Sequence, residues 1–243
     1  DSYIAESNFS YDSYGNVINF KGPENANGDR LEYKYSYDNT VHTYPVWVEN
    51  VPLGYYSTAD YDFRFGKPTR TVDINGAEMR HHYDEVGRDT MILAPKEIAD
   101  SVPFTIRMSY HPYNFSDFAS IVFTPMFNPL HESSKTSYAV TEHYDCQHGD
   151  NPIVTVLISD GWGRQIQVKK DAEIQVSAAT LVSGNVVYDC FGRVTKQYHP
   201  FDRPPMDSTN MGYYYNNTNL PYTATDFDLM DRQLKVELPT GDT

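Results

Sequence analysis

Between residues 67 and 94 apolar and polar positions alternate in three short runs separated by turn-forming residues. Residues 67–73 (KPTRTVD) and 77–83 (AEMRHHY) enclose Ile74-Asn75-Gly76. Asn-Gly between two such runs is a hairpin signal. Period-two alternation also runs through residues 193–198, after the strand-like Val186-Val187-Tyr188. Residues 138–144 and 153–159 flank the turn-rich DCQHGDNP, so residues 138–170 read as three more antiparallel strands. Residues 104–110 predict a further strand, and residues 95–100 a single helical turn. Residues 198–219, with FDRPPMDS and NNTN, read as loop.

The turns repeat. Asp12-Ser-Tyr-Gly15-Asn16, Asp84-Glu-Val-Gly87-Arg88, Asp160-Gly-Trp-Gly163-Arg164, Asp189-Cys-Phe-Gly192-Arg193 and Asp228-Leu-Met-Asp231-Arg232 share one pattern. A sixth copy, Asp62-Phe-Arg-Phe65-Gly66-Lys67, has one extra residue; Tyr11, Tyr61, Tyr83 and Tyr188 precede their aspartates. Asp suits the first position of a type I turn, where its carboxylate accepts backbone N–H groups two residues on. Gly at the fourth position supplies the positive φ of the accompanying bulge, and Asp231 replaces it at modest cost. The following Arg or Lys is expected to pair with a turn carboxylate or stack on a tyrosine. The apolar residue before each Gly (Val86, Trp162, Phe191) is expected to pack onto the adjoining hairpin or across the sheet edge. The fold class expected is all-β: an antiparallel meander of hairpins forming a broad, twisted and curved sheet. It is expected to occupy residues 1–243 as one region, with possible sub-units 1–60, 61–137 and 138–243.

Composition narrows the function classes. Nineteen Lys and Arg against 33 Asp and Glu give a formal charge of −14, which argues against nucleic acid as the main partner. No apolar run approaches the length of a membrane span. Tyrosine dominates the aromatics, 21 against 12 Phe and 2 Trp, and suits half-wet strand surfaces. The chain opens DSYIAESN and stops at LPTGDT, as expected of a piece cut from something longer.

The turn aspartates could in principle serve as catalytic carboxylates, but each has the same local duty that its turn requires. No catalytic, cofactor-binding or metal residue is therefore assigned, and no enzyme activity is expected. GxSxG, HExxH, P-loop and dinucleotide fingerprints are absent. His143, Asp145, Cys146 and His148 are metal-friendly types at close spacing, but only His143 and Asp145 share a face of an extended segment. Cys146 and Cys190 both follow a turn Asp, so a disulfide is conceivable, with variable turn positions the plainer reading. Tyr213-Tyr214-Tyr215 is the most ligand-like aromatic cluster, against the plainer reading of cross-strand ladders. Asn8, Asn114 and Asn216 begin Asn-x-Ser/Thr sequons.

The Tyr-Asp-x-x-Gly-Arg copies resemble the YD repeats of the RHS family. The strings YDFRFGKPTRTVDINGAEMRHHYDEVGR, ISDGWGRQIQVKKDAEI and VVYDCFGRVTKQYHPF are similar to the bacterial branch related to cocoon-forming subunits of insecticidal toxin complexes. The resemblance runs from about Tyr11 to Pro239. It implies a repeat sheet that winds into a hollow shell around a toxic polypeptide, in a secreted or cell-surface protein. The implied partners are the remainder of that shell and its enclosed cargo. No DPxGx motif of the kind that marks shell closure is present. A carbohydrate- or protein-binding surface module, with glycans as possible ligands, is the alternative reading.

Overall fold

The computed structural model describes residues 6–112, 136–147, 151–174, 177–207, 210–214 and 219–239. The chain divides into two compact units, residues 1–107 and 108–243. Its strands are β1 (Asn8–Tyr11), β2 (Val17–Glu24), β3 (Arg30–Tyr37), β4 (Pro45–Asn50), β5 (Tyr55–Asp62), β6 (Lys67–Val72), β7 (Glu78–Tyr83), β8 (Asp89–Leu93) and β9 (Ile106–His111). They continue with β10 (Ser137–His143), β11 (Ile153–Ser159), β12 (Gln165–Ile174), β13 (Ser177–Ser183), β14 (Val186–Tyr188), β15 (Val194–Tyr198), β16 (Phe201–Arg203), β17 (Tyr222–Phe227) and β18 (Gln233–Glu237). A 3-10 turn, Val51–Leu53, and one short helix, α1 (Pro95–Ala99), complete the described elements. Pro95 sits at the start of α1, where its missing N–H costs nothing. The fold is all-β: β1 to β13 follow one another in chain order and β16 closes a 14-stranded antiparallel sheet, while β14, β15, β17 and β18 form a second sheet.

The first unit is a thin meander. Phe104 is its one buried large apolar side chain among the described residues; most strand positions are half-buried or exposed. Cross-strand pairing has to supply what a deep core does not. Phe9 lies opposite Phe20 with ring centroids 5.1 Å apart, and Trp47 stacks near Tyr56 at 6.5 Å. Such pairs are worth about 0.2–1 kcal/mol each. A sheet stabilised this way gains strand by strand, as other repeat arrays do.

The second unit has a core. Val156 and Ile158, two residues apart on one face of β11, are fully buried and cluster with the buried Val140 and Tyr213. Residues 198–219, read from sequence as loop, contribute more than connection. β16 pairs with β13, and Met206, Met211 and Tyr213 pack onto the core. The segment is tied down by buried polar side chains of β12, β13 and the connection between β13 and β14. The Gln167 amide donates to the Tyr214 carbonyl and accepts from the Tyr214 N–H, at 3.3 and 2.9 Å. Thr180 Oγ1 donates to the Pro204 carbonyl, and the Tyr213 hydroxyl donates to Asn185 Oδ1. By taking the place beside β13, β16 displaces β14 and starts a separate sheet for the last two repeat hairpins.

Candidate functional site: a ladder of aspartate turns

Each repeat turn is built by one carboxylate. In the 84 copy the Asp84 N–H donates to the Arg88 carbonyl at 2.9 Å, and the Gly87 N–H donates to the Asp84 carbonyl at 3.1 Å. Asp84 Oδ1 accepts the N–H groups of Val86 and Arg88, while Oδ2 accepts Arg88 Nε at 2.7 Å. Gly87 has φ +82, and the register of β7 against β8 shifts at His82/Tyr83, as a bulge requires. The 160, 189 and 228 copies repeat every one of these bonds, with Gly163, Gly192 and Asp231 at φ 75, 84 and 61. In the 12 copy Asn16 replaces Arg, its amide donating to Asp12 Oδ2. In the 62 copy the extra residue lets Arg64 take the carboxylate from inside the turn, and Gly66 has φ 65.

The same backbone turn occurs where the motif was not visible. Asp73 closes on Ala77 around Gly76, and Asn25 closes on Asp29 around Gly28, each side-chain oxygen accepting the two N–H groups found in the other copies. Neither has a tyrosine before it or an arginine at its closing position, which is Ala77 in one and Asp29 in the other. Asp38, after Tyr37, opens a longer loop that closes on Tyr44. Its two oxygens accept five N–H groups, from Thr40, Val41, His42, Thr43 and Tyr44. Successive turns of a meander alternate between the two ends of the strands. In the first unit the turns at 12, 38, 62 and 84 therefore share one end, and those at 25 and 73 share the other.

At the first of these ends the tyrosines and cations link turn to turn. The Tyr37 hydroxyl donates to the Val17 carbonyl at 3.0 Å, Tyr61 to Pro45 at 3.1 Å, and Tyr83 to Pro68 at 2.6 Å. Each acceptor is the first residue after the one that closes the preceding turn. For Tyr61 and Tyr83 that closing residue lies beside the tyrosine ring itself. Tyr44 stacks on Tyr61 at 5.0 Å, and the Lys67 ammonium stands 5.2 Å from the Tyr83 centroid while donating to the Gly87 carbonyl. The second unit repeats the arrangement: Arg164 lies 4.1 Å over Tyr188, whose hydroxyl donates to Gln165. Arg193 lies 4.9 Å from Phe227 and donates to the Asp228 carbonyl and Asp231 carboxylate. Asp and Gly thus shape one turn; the tyrosine and the cation join it to its neighbour.

Electrostatics follow the same division. Burial alone would raise the Asp38 pKa, but the N–H donors of Tyr44, Val41, Thr43 and Thr40 outweigh it and hold the carboxyl far below the usual carboxylate range. In Asp84, Asp160 and Asp189 burial again pushes upward, and the backbone and guanidinium donors of the closing arginine win. The Asn16 amide leads the lowering at Asp12, the Arg64 guanidinium at Asp62 and the Arg232 N–H at Asp228. Burial pushes the Tyr37, Tyr61 and Tyr83 phenols up.

The residue before the glycine does not pack as expected. Val86, Trp162 and Phe191 stand 69, 87 and 71% exposed at the turn tips. Tyr14, although exposed, does meet the adjoining loop, stacking on His42 at 4.0 Å. Phe65 alone among the copies is half-buried, and it lies under Gly87 of the next turn, where a Cβ would sit 2.7 Å from its ring. Tyr213, read as ligand-like, is a core residue; Tyr214 is partly buried beneath Arg203 at 3.9 Å. Tyr215, His148, Asn114 and Asn216 lie outside the described residues. Among the described residues no group of three or more His, Cys, Asp or Glu side chains is placed to hold a metal, and Cys146 and Cys190 are exposed free thiols.

No family model and no curated protein matches the chain. Solved structures do. A crystal structure of TcdB2-TccC3 with Cdc42 is 15% identical and covers 97% of this chain at a TM-score of 0.67. One of TcdB2-TccC3 alone is 16% identical with the same coverage and TM-score. The Photorhabdus luminescens Tc holotoxin pore is 15% identical over 97% at 0.66. This chain spans 13–15% of the length of those chains. At that identity the likeness is one of fold: the sheet has the architecture of a stretch of toxin-complex chain.

Two outcomes follow from the turns. Gly15 has open space around it, so Gly15→Ala should cost only the left-handed backbone strain, about 1–2 kcal/mol. Gly87→Ala adds a collision with Phe65 and should cost about 1–3 kcal/mol more in urea denaturation. Equal losses would mean that the turns do not pack on one another.

The lowered aspartates contribute stability that is complete above the ordinary carboxylate pKa of about 4 and is lost as pH falls through their folded values. The raised tyrosines contribute stability that is present below about 10 and is lost as pH rises beyond it. The melting temperature should therefore fall on both sides of a neutral plateau. Asp38→Asn should lower the plateau and shrink the acid limb, because an amide NH2 would confront backbone N–H donors. An unchanged acid limb in that variant would assign the loss elsewhere.

Proposed function

We propose that this chain is a structural, non-catalytic segment of a toxin-complex-like wall, a strip of repeat hairpins in a secreted or cell-surface protein whose full shell encloses a toxin or effector polypeptide. The observation that carries the reading is the turn ladder. The Asp of each copy shapes its turn, and Tyr61, Tyr83, Tyr188, Lys67, Arg164 and Arg193 join neighbouring hairpins, which is the work of a wall. The likeness in fold to TcdB2-TccC3 chains supports the same role. The thinness of the first unit suits it too, since a sheet with few buried side chains gains most when flanked by further hairpins. Under this reading the chain needs no cofactor, and its partners are the adjoining wall and the cargo.

A second reading rests on Trp162, whose ring stands 87% exposed at a turn tip. Exposed rings of this kind stack on sugars or anchor protein partners, so a surface-binding module remains the competitor. Timed proteolysis of the polypeptide that carries this chain separates them. A wall should slow cleavage of an enclosed segment by about tenfold or more, and Gly87→Val, which opens the wall, should abolish the protection. Cleavage at one rate in both proteins, together with micromolar glycan binding that Trp162→Ala removes, would favour the module.

A further inference from the structure

Asn27-Gly28 and Asn75-Gly76 are the two Asn-Gly pairs of the chain, and both occupy turn tips. They belong to the turns opened by Asn25 and Asp73, which join β2 to β3 and β6 to β7 at the end of the first unit that carries no linkers. At the other end the position before the glycine holds Tyr14, Phe65 or Val86, none of which has an amide. Asn27, Gly28, Asn75 and Gly76 are all exposed. We infer that Asn27 and Asn75 are sites of spontaneous deamidation, and that the residue opening each turn sets the rate, so that Asn27 reacts first.

The chemistry needs only the chain and water. The backbone nitrogen of the glycine, losing its proton, attacks Cγ of the preceding asparagine. A C–N bond forms, the Cγ–Nδ2 bond breaks, and ammonia leaves. Water then opens the resulting succinimide at either carbonyl, giving aspartate or an isoaspartyl link with an extra methylene in the backbone. Glycine suits the attack because no side chain crowds its nitrogen. A Cβ on Gly28 or Gly76 would meet nothing within 4 Å, so the ring has room to form.

The fold adds a brake. Gly28 N–H donates to the Asn25 carbonyl and Gly76 N–H to the Asp73 carbonyl, both at 3.0 Å, so each nucleophile is occupied while its turn is closed. The two brakes are unequal. Asn25 Oδ1, a neutral amide oxygen, accepts the N–H groups of Asn27 and Asp29. Asp73 Oδ1, a carboxylate oxygen, accepts those of Asn75 and Ala77, and charge-assisted bonds are the stronger. The N–H groups of Ala77 and Asn75 lead in holding the Asp73 carboxyl below its usual range, and the Asn75 side-chain amide adds to them. The Asp73 charge also opposes the anionic nitrogen from which the ring closes. The carboxylate of the other turn, Asp29, sits at the closing position and accepts from the Asn25 amide at 3.3 Å rather than from the tip. An isoaspartyl link at residue 27 lengthens a turn held by four bonds of 2.8–3.0 Å, so the β2–β3 hairpin loosens before β6–β7.

Peptide mapping by mass spectrometry tests this, following the amide-to-acid mass gain at both sites while the whole chain is held in mildly alkaline buffer, folded and in urea. In urea the two sites should react at similar rates. In the folded chain both should slow, with Asn27 ahead of Asn75 by about fivefold, the effect of a unit charge about 4 Å away in water. Reciprocal variants keep both turns, because this chain opens such turns with either residue. Asp73→Asn should speed the reaction at Asn75, and Asn25→Asp should slow it at Asn27, each by a similar factor. A folded chain that gains no mass at residue 27 while the chain in urea does would overturn the inference. Equal folded rates at the two sites, or variants that leave those rates unchanged, would overturn it too. The proposed function does not depend on either result.

Discussion

The residue that closes one turn lies against the aromatic ring that introduces the next aspartate, and the sheet depends on that contact. Hairpins alone set direction locally: a carboxylate accepting two N–H groups fixes where the chain reverses, and a residue at positive φ absorbs the bulge. Nothing in that geometry tells one hairpin where its neighbour belongs. A one-residue slip between hairpins would turn every side chain to the opposite face, and the first unit has too little buried surface to penalise it. The Lys67–Tyr83 and Arg193–Phe227 contacts, with the Tyr83 to Pro68 hydroxyl bond, supply that missing specification at the strand ends. The turns at 25 and 73, at the opposite end, are shaped identically but carry no such linkers.

This division of labour explains which parts of the molecule were legible in the sequence. Turn shape is local, so Asp-x-x-Gly and its alternating flanks were readable at 12, 84, 160, 189 and 228, where the chain forms hairpin turns even with Asp231 in place of glycine. The Asp38 loop escaped because its closing residue lies farther along the chain, and the five N–H donors that reveal its role are spread over Thr40 to Tyr44. Asn25 escaped because an amide oxygen does the work of the carboxylate without the flanking tyrosine. The second sheet was invisible for a different reason. Whether β14 or β16 lies beside β13 is a contest between segments distant in sequence, decided by the core that Met206, Met211 and Tyr213 complete.

Tyrosine carries the same lesson for the candidate site. Its abundance suggested either ligand stacking or cross-strand ladders. The structure gives a cross-strand pair in Tyr198 opposite Tyr222, with centroids 5.4 Å apart, and three further uses: hydroxyl linkers between turns at Tyr37, Tyr61, Tyr83 and Tyr188, a core residue at Tyr213, and an exposed tip ring at Tyr14 stacked on His42 at 4.0 Å. Composition cannot separate these, because each depends on which hairpin stands next to which. The fold shared with toxin-complex chains at about 15% identity fits a scaffold specified by a few residues per hairpin, with the rest of each strand free to vary.

The central claim is that neighbouring turns are energetically coupled through the cation–aromatic rung. A double-mutant cycle on Lys67→Met and Tyr83→Leu, read by urea denaturation, tests it most directly. The cycle cancels what each residue contributes alone and leaves the interaction between them. A coupling of about 0.5–2 kcal/mol is expected for a cation beside a partly buried ring. Additivity within about 0.3 kcal/mol would contradict the account, leaving each hairpin to find its neighbour by strand pairing alone.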